Sequence, residues 1–534
     1  MRRHTRRDFM KTAIAATIAA GLHASFGQGQ DSLGRKPNVV ILFIDDLGCG
    51  DLGCFGNKRT PTPHIDSLAA NGAKCTMSYI TNPPCSPSRC CLMTGMYAQR
   101  FGKSGMARGL PIPDDHPTIA EFMRDAGYVT GQIGKWDIGS AEQGPHRRGF
   151  MEVARHAPGE QYNRQREDGT PVYLTDLVGD YMAEFVERNA HKPFFLYFSP
   201  FAVHSKVKDT PQHYRDRVKA GQGTAYEGAV VAVDDAVGKL LAMVKKHHIE
   251  KDTLIFLTGD NGANLGEGGS SAPYRGGKGP GTQLEGWVHT PTIVSWPGTV
   301  PSGITYGGLM CTMDFYATIA AVAGKPLPRR CEGKDLLPYL KGQKNDDVHE
   351  YLFWHNADLT DAKRRNLYAV RWKNWRLVKY PDDWRLFDLK DDPQETKNLA
   401  NDHAQVVSNM RKHYDAFVAT LPPLKRSADY KGGGGVMRST GGGFELSGSI
   451  GQPDAGTMTG DGFELAGGFW FGLAPADCNE DGLVSLFDHE TFTSCLLGPS
   501  GGIGAGPCPC FDVDRDGDIT LIDYAHLQAG FTGQ

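Results

Sequence analysis

The chain has 534 residues, too many for one ordinary domain, and predicts two or three. With 40% hydrophobic and 22% charged residues it has the balance of a soluble globular protein. A formal net charge of −4 gives no electrostatic reason for nucleic acid or an anionic membrane surface as partner.

Residues 1–27 read as an address, outside the fold. Thr5-Arg6-Arg7-Asp8-Phe9-Met10-Lys11 is a twin-arginine export motif, and the Ala-rich run over 12–24 is too short for a membrane span. The alternative is a basic tail. Export predicts a periplasmic, cell-surface or secreted protein. Because twin-arginine systems move folded proteins, Cys49, Cys54, Cys75, Cys85, Cys90, Cys91, Cys311 and Cys331 need not form a disulfide framework.

A continuous apolar run over 39–44 predicts a strand buried on both faces of a parallel sheet, ending in Asp45 and Asp46. Asn82 to Gly95 reads N-P-P-C-S-P-S-R-C-C-L-M-T-G. Pro87 suits the first turn of a helix, which places Cys85 at its N-terminus, where free N–H groups and the dipole favour negative charge. Arg89 adds a permanent cation, and Leu92 and Met93 an apolar side. The spacing predicts an oxyanion site beside a reactive sulfur.

Further along, 118–126 predicts a helix stopped by Gly127, and apolar residues from Leu174 to Val186 recur at i, i+3, i+4. Strands are expected over 194–198 and 254–258, with a helix over 226–246 between them. This alternation predicts an α/β domain over 36–328, a mainly parallel central sheet flanked by helices. Asp260 and Asn261 follow the second of those strands as Asp45 and Asp46 follow the first. Ligands bind at the carboxyl ends of such strands, so the two pairs should converge, and their oxygens suit calcium. Alternating residues around Trp372 and Trp375 predict antiparallel strands over 367–380, and a helix over 403–420 closes a smaller α+β subdomain over 329–426. The Gly-rich segment 427–475 repeats G-F-E-L at 443 and 462, compatible with two β hairpins or a flexible linker.

The string C-S-P-S-R-x-x-L-M-T-G resembles the signature of the type I sulfatases, members of the alkaline-phosphatase superfamily. The resemblance runs from about 37 to about 421. It implies that Cys85 is oxidised to formylglycine (3-oxoalanine) by a formylglycine-generating enzyme. It further implies that Asp45, Asp46, Asp260 and Asn261 bind calcium, which also contacts residue 85. By the same resemblance Lys135 and Lys278 bind sulfate, Arg89 stabilises the nucleophile, and His204 protonates the leaving alcohol. Where the family reads G-K-W-H this chain has Asp137, in the position of a histidine that helps deprotonate the formylglycine hydrate. Glu285 to Pro291 also drifts from the family's E-G-G-x-R-x-P, which points to an altered contact on the substrate side. The substrate expected is a sulfated carbohydrate. The alternatives are a phosphate- or phosphonate-ester hydrolase of the same superfamily and a non-catalytic sulfated-glycan-binding protein.

The tail, 476–534, carries two calcium-type loops. Asp477, Asn479, Asp481 and Asp488 take loop positions 1, 3, 5 and 12, and Asp512, Asp514, Asp516 and Asp523 repeat them. The pair resembles a type I dockerin, a small helical calcium-loop module. That implies a cohesin-like protein partner, with a partnerless calcium-stabilised cap as the alternative. Cys478, Cys495, Cys508 and Cys510 lie in this tail, and their pairing is open.

Overall fold

The computed structural model describes residues 35–425, apart from 106–109, 140–142, 155–162, 167–168, 205–206, 220–222, 279–282 and 357–365, together with four short strands between 439 and 465. The export segment 1–27 and the acidic loops that begin at Asp477 and Asp512 lie outside the described residues.

Strand β1 (Asn38–Ile44) is buried at all seven positions because it runs in the middle of an eight-stranded sheet. The other strands are β2 (Ala73–Cys75), β3 (Val129–Gly134), β4 (Glu152–Ala154), β5 (Phe194–Ser199), β6 (Thr253–Gly259), β7 (Thr292–Ser295) and β8 (Ile304–Tyr306). Their order is β8-β2-β7-β6-β1-β5-β3-β4. From β6 to β4 every pairing is parallel, whereas β7 runs antiparallel to both its neighbours.

Alternation along β1 sends its side chains into two separate cores. Val39, Ile41 and Phe43 join a cluster with helices α2 (Cys85–Thr94), α3 (Ile119–Asp125) and α6 (Asp314–Val322). Val40, Leu42 and Ile44 face the opposite cluster, built on α4 (Leu174–Asn189) and α5 (Ala225–Lys246), while α1 (Pro63–Ala70) packs at its margin. Thr118–Glu121 and Thr224–Glu227 form reciprocal capping boxes that fix where α3 and α5 begin.

Helix α2 departs from the expectation of one apolar side. All ten of its residues are buried, so it is enclosed on every side.

A four-stranded antiparallel meander follows: β9 (Tyr351–Asn356), β10 (Leu367–Trp372), β11 (Trp375–Lys379) and β12 (Trp384–Asp388). Helix α7 (Ala404–Val418) lays Met410 and Tyr414 on Val370, Leu377 and Leu386. This sheet belongs to the same compact unit as the parallel one, a unit that ends near residue 432. In the second unit, from 433 on, the Phe-Glu-Leu part of each repeat lies in an antiparallel pair: Ser439–Gly441 with Phe444–Leu446, and Met458–Gly460 with Phe463–Leu465. Among the described residues no helix is long and apolar enough to cross a membrane.

Candidate active site

β1 and β6 lie side by side in parallel register, Ile44 opposite Gly259, so the residues after each strand emerge at one edge. Asp260 N–H donates to the Ile44 carbonyl at 3.1 Å, and Asp46 N–H to Asp260 Oδ1 at 3.0 Å. Ligand oxygens of Asp45, Asp46 and Asp260 lie within 4.8 Å of one another and of Cys85 Sγ. Asn261 completes the group. Its Nδ2 donates to Asp46 Oδ1 at 2.7 Å, leaving Oδ1 3.5 Å from Cys85 Sγ. The two acid pairs therefore converge, and all four of these residues are fully buried.

Cys85 is the first residue of α2, with Sγ 3.3 Å from Asp45 Oδ1. Arg89 follows one turn later. Its guanidinium donates to Asp260 Oδ2 at 2.6 Å, to the Tyr197 hydroxyl at 3.0 Å and to Ser199 Oγ. Ser199 Oγ in turn donates to the Phe43 carbonyl at 3.0 Å, tying the cation to β1. Motif spacing gave no sign of Tyr197 and Ser199; the signal available was their place at the carboxyl end of β5.

Two lysines close the ring. Lys135 Nζ is 2.6 Å from Asp45 Oδ2, and Lys278 Nζ is 2.8 and 2.9 Å from the Asp46 oxygens and 3.5 Å from Cys85 Sγ. Glycine makes both approaches possible. A Cβ on Gly134 would collide with the Ser199 carbonyl that receives Lys135 N–H at 2.7 Å. One on Gly277 would meet the Ala263 carbonyl, which receives Lys278 N–H at 2.9 Å.

His204 Nε2 lies 4.0 Å from Asp46 Oδ2, and burial lowers its imidazole to about 4. Asp137 adopts a left-handed backbone, φ 49°, and its carboxylate stands 3.7 Å from Lys135 Nζ. Cys85, Arg89, Lys135, His204 and Lys278 each approach Asp45, Asp46 or Asp260, and Asp137 joins them through Lys135.

Three carboxylates face three side-chain cations here. Burial raises Asp46, with Asp45 adding to it, and pushes Asp260 up to about 6. Asp45 is also penalised by burial, but Lys135 and the other cations outweigh this and hold it well below its ordinary value. Carboxylates crowded this way, with an amide oxygen beside them, fit a hard divalent cation.

One expectation needs correction. The sulfur is no ready thiolate: burial first, then Asp260 and Asp45, pushes the Cys85 thiol well above its usual range. The 285–291 segment, where the family pattern drifts, places Glu285 and His289 in the interior. His289 is buried, stacked on Tyr274 at 3.9 Å between ring centroids, with Nδ1 3.1 Å from Glu285 Oε1. Glu285 meets Arg376 and Arg371 of the antiparallel sheet, so this segment joins the two sheets.

A mainly parallel sheet bearing a buried acid cluster and flanking lysines at its strand ends is the arrangement that the resemblance to the alkaline-phosphatase superfamily implies. Comparison with known proteins narrows the class. A family model described as Sulfatase matches residues 37–325, and one described as N-sulphoglucosamine sulphohydrolase, C-terminal, matches 283–419. N-acetylgalactosamine-6-sulfatase of Canis lupus familiaris is 32% identical over 394 residues, 65% of this chain and 74% of that one. Arylsulfatase A of Homo sapiens is 32% identical over 406 residues, covering 67% and 76%. The crystal structure of Ps i-CgsB in complex with k-i-k-neocarrahexaose superimposes with a TM-score of 0.66 at 27% identity, over 73% of this chain and 95% of that one. The chain belongs to the Sulfatase family, as a type I sulfatase, and is a sulfuric ester hydrolase.

Proposed function

We propose that this chain is an exported carbohydrate sulfatase whose nucleophile is a formylglycine made from Cys85. The observation that carries the reading is the place of Cys85. Its side chain heads α2 within 3.3 Å of Asp45 and 3.5 Å of Asn261 and Lys278, where a thiol is electrostatically disfavoured as an anion but an oxygen nucleophile would meet both a cation and a sulfate. The similarity to N-acetylgalactosamine-6-sulfatase and to Ps i-CgsB, crystallised with k-i-k-neocarrahexaose, supports a sulfated glycan as substrate.

Asp45, Asp46, Asp260 and Asn261 would hold calcium, which supplies stabilisation of charge on sulfate and nucleophile oxygens. Formylglycine at residue 85 would supply an oxygen nucleophile at the head of α2. Lys135 and Lys278 bind the sulfate oxygens, where charge shifts as the ester bond breaks. Arg89, held by Asp260, Tyr197 and Ser199, fixes the acids and favours negative charge at residue 85. His204, 4.0 Å from Asp46 Oδ2, is the side chain that would give a proton to the leaving alcohol. Asp137 accepts the proton released as sulfate departs. Residues 36–328 and 329–426 are read as the catalytic part and its C-terminal subdomain, 427–475 as a spacer, and 476–534 as a dockerin-like module for a cohesin-like partner.

Mass analysis of the Cys85 peptide from chain matured with a formylglycine-generating enzyme should show CH₂SH replaced by CHO. The same preparation should release sulfate from a panel of sulfated oligosaccharides and from an aryl sulfate. Unmodified thiol throughout, or aldehyde without sulfate release, would end this reading.

A further inference from the structure

Neighbouring side chains on an extended strand point to opposite faces, yet oxygens of Asp45 and Asp46 lie within 4.8 Å of each other. The backbone explains how. Asp46 sits in the left-handed region, φ 61°, which a residue with a Cβ enters only at a cost, and the turn brings its carboxylate round to that of Asp45. Such a conformation persists only where its surroundings fix it.

On one side, Asp260 Oδ1 and Asn261 Nδ2 engage the Asp46 amide and carboxylate. On the other, the Asp46 carbonyl lies 3.2 Å from the hydroxyl of Tyr226, a buried side chain in the first turn of α5. The same hydroxyl is 2.7 Å from Asp51 Oδ2. Asp51 also accepts Gly48 N–H and Ser270 N–H, each at 2.8 Å, so it ties the loop after β1 both to α5 and to the segment after β6. Neither Tyr226 nor Asp51 reaches Cys85 or the sulfate lysines among the contacts described.

We propose that Tyr226 and Asp51 are positioning residues of the cation site, locking Asp46 in the left-handed turn that lets two successive aspartates face one ion. The inference rests on the cation reading of this site. Partners behind metal ligands typically govern affinity by 10–100-fold when removed.

The test is Tyr226→Phe, which keeps the ring and deletes only the hydroxyl. Calcium is titrated calorimetrically into chelator-treated full-length protein. An Asp45→Asn/Asp46→Asn variant identifies which binding component belongs to this site rather than to the acidic loops of the tail. We expect that component to weaken by about 10–100-fold in Tyr226→Phe. The melting temperature in chelator should stay near the parent's, and kcat should recover as calcium is raised. Asp51→Asn should move the affinity in the same direction. Parental calcium affinity in Tyr226→Phe, or a kcat loss that no calcium concentration repairs, overturns the proposal. If the parent binds calcium only at the tail, the cation reading itself falls, and this proposal with it.

Discussion

Two clusters of buried charge in this molecule use the same residue types to opposite ends. At the carboxyl edge of the parallel sheet, Asp45, Asp46 and Asp260 crowd together, and burial with mutual repulsion pushes Asp260 up to about 6. Two of their counter-ions are lysines, single charges on flexible stems that arrive from separate turns. Between the sheets, Glu285 lies 3.0 Å from Arg376 and accepts from Tyr79 at 2.6 Å, while Arg376 also grips Glu395. Burial opposes the charged form of Glu285. Its hydrogen bond to His289 and the charges of Arg376 and Arg371 together outweigh that and hold it at about 2. Burial by itself therefore does not mark a site. The mark is like charges forced together behind counter-ions that can be shared with a ligand, whereas opposite charges interlocked through guanidinium forks make a joint.

This contrast predicts activity without stability loss at one cluster and the reverse at the other. Cys85→Ala should lower kcat by at least about 10⁴-fold with the melting temperature little changed; residual turnover near the parent's would remove residue 85 from the chemistry. Arg376→Met should cost about 3–5 kcal/mol in stability, read by denaturant unfolding, because it strands Glu285 and Glu395. Its kcat, measured on the folded fraction, should stay within about twofold, well below the loss on removing one transition-state donor; a larger loss would make the joint part of the site. Lys278→Met should cost about 10²–10³ in kcat, as expected for removing one electrostatic contact to the transition state, with a smaller change in stability.

The smallest effect concerns pH. Glu285 is depressed in the folded chain, so its stabilisation is present above the unfolded value of about 4.5 and is lost as pH falls toward about 2. The stability gap between the parent and Arg376→Met should therefore be widest at neutral pH and narrow below about pH 4.5. A gap that stays constant down to pH 3 would mean that Glu285 is not held by these partners.

Several elements were legible because their signal is local. The apolar run expected over 39–44 is β1, Asn38–Ile44, and that over 254–258 is β6, Thr253–Gly259. The acids that end them, and the proline-marked start of α2, stand where the motifs put them. Strands β3, β4, β7 and β8 gave no comparable sign. Val129–Gly134 holds two glycines, a threonine and a glutamine, and is a strand because β5 and β4 pair with it on either side. Edge strands of three residues such as β4 carry too little pattern to register.

The site divides in the same way. Strand ends determined from the sequence that the two acid pairs would meet, because a parallel sheet delivers whatever follows its strands to one edge, whereas Cys85 and the two lysines were assigned to that edge through the sulfatase resemblance. Tertiary structure alone decided what lies behind them. Tyr226 on α5 and Ser199 at the end of β5 lie outside the motifs, and only folding brings their hydroxyls to the Asp46 carbonyl and to Arg89, while Asp51, five residues after Asp46, meets Tyr226 only in the fold. It also decided that the Cys85 thiol sits among carboxylates, and that His289 belongs to a joint. Charge environment is a sum over neighbours distant in sequence, and no local pattern carries that sum.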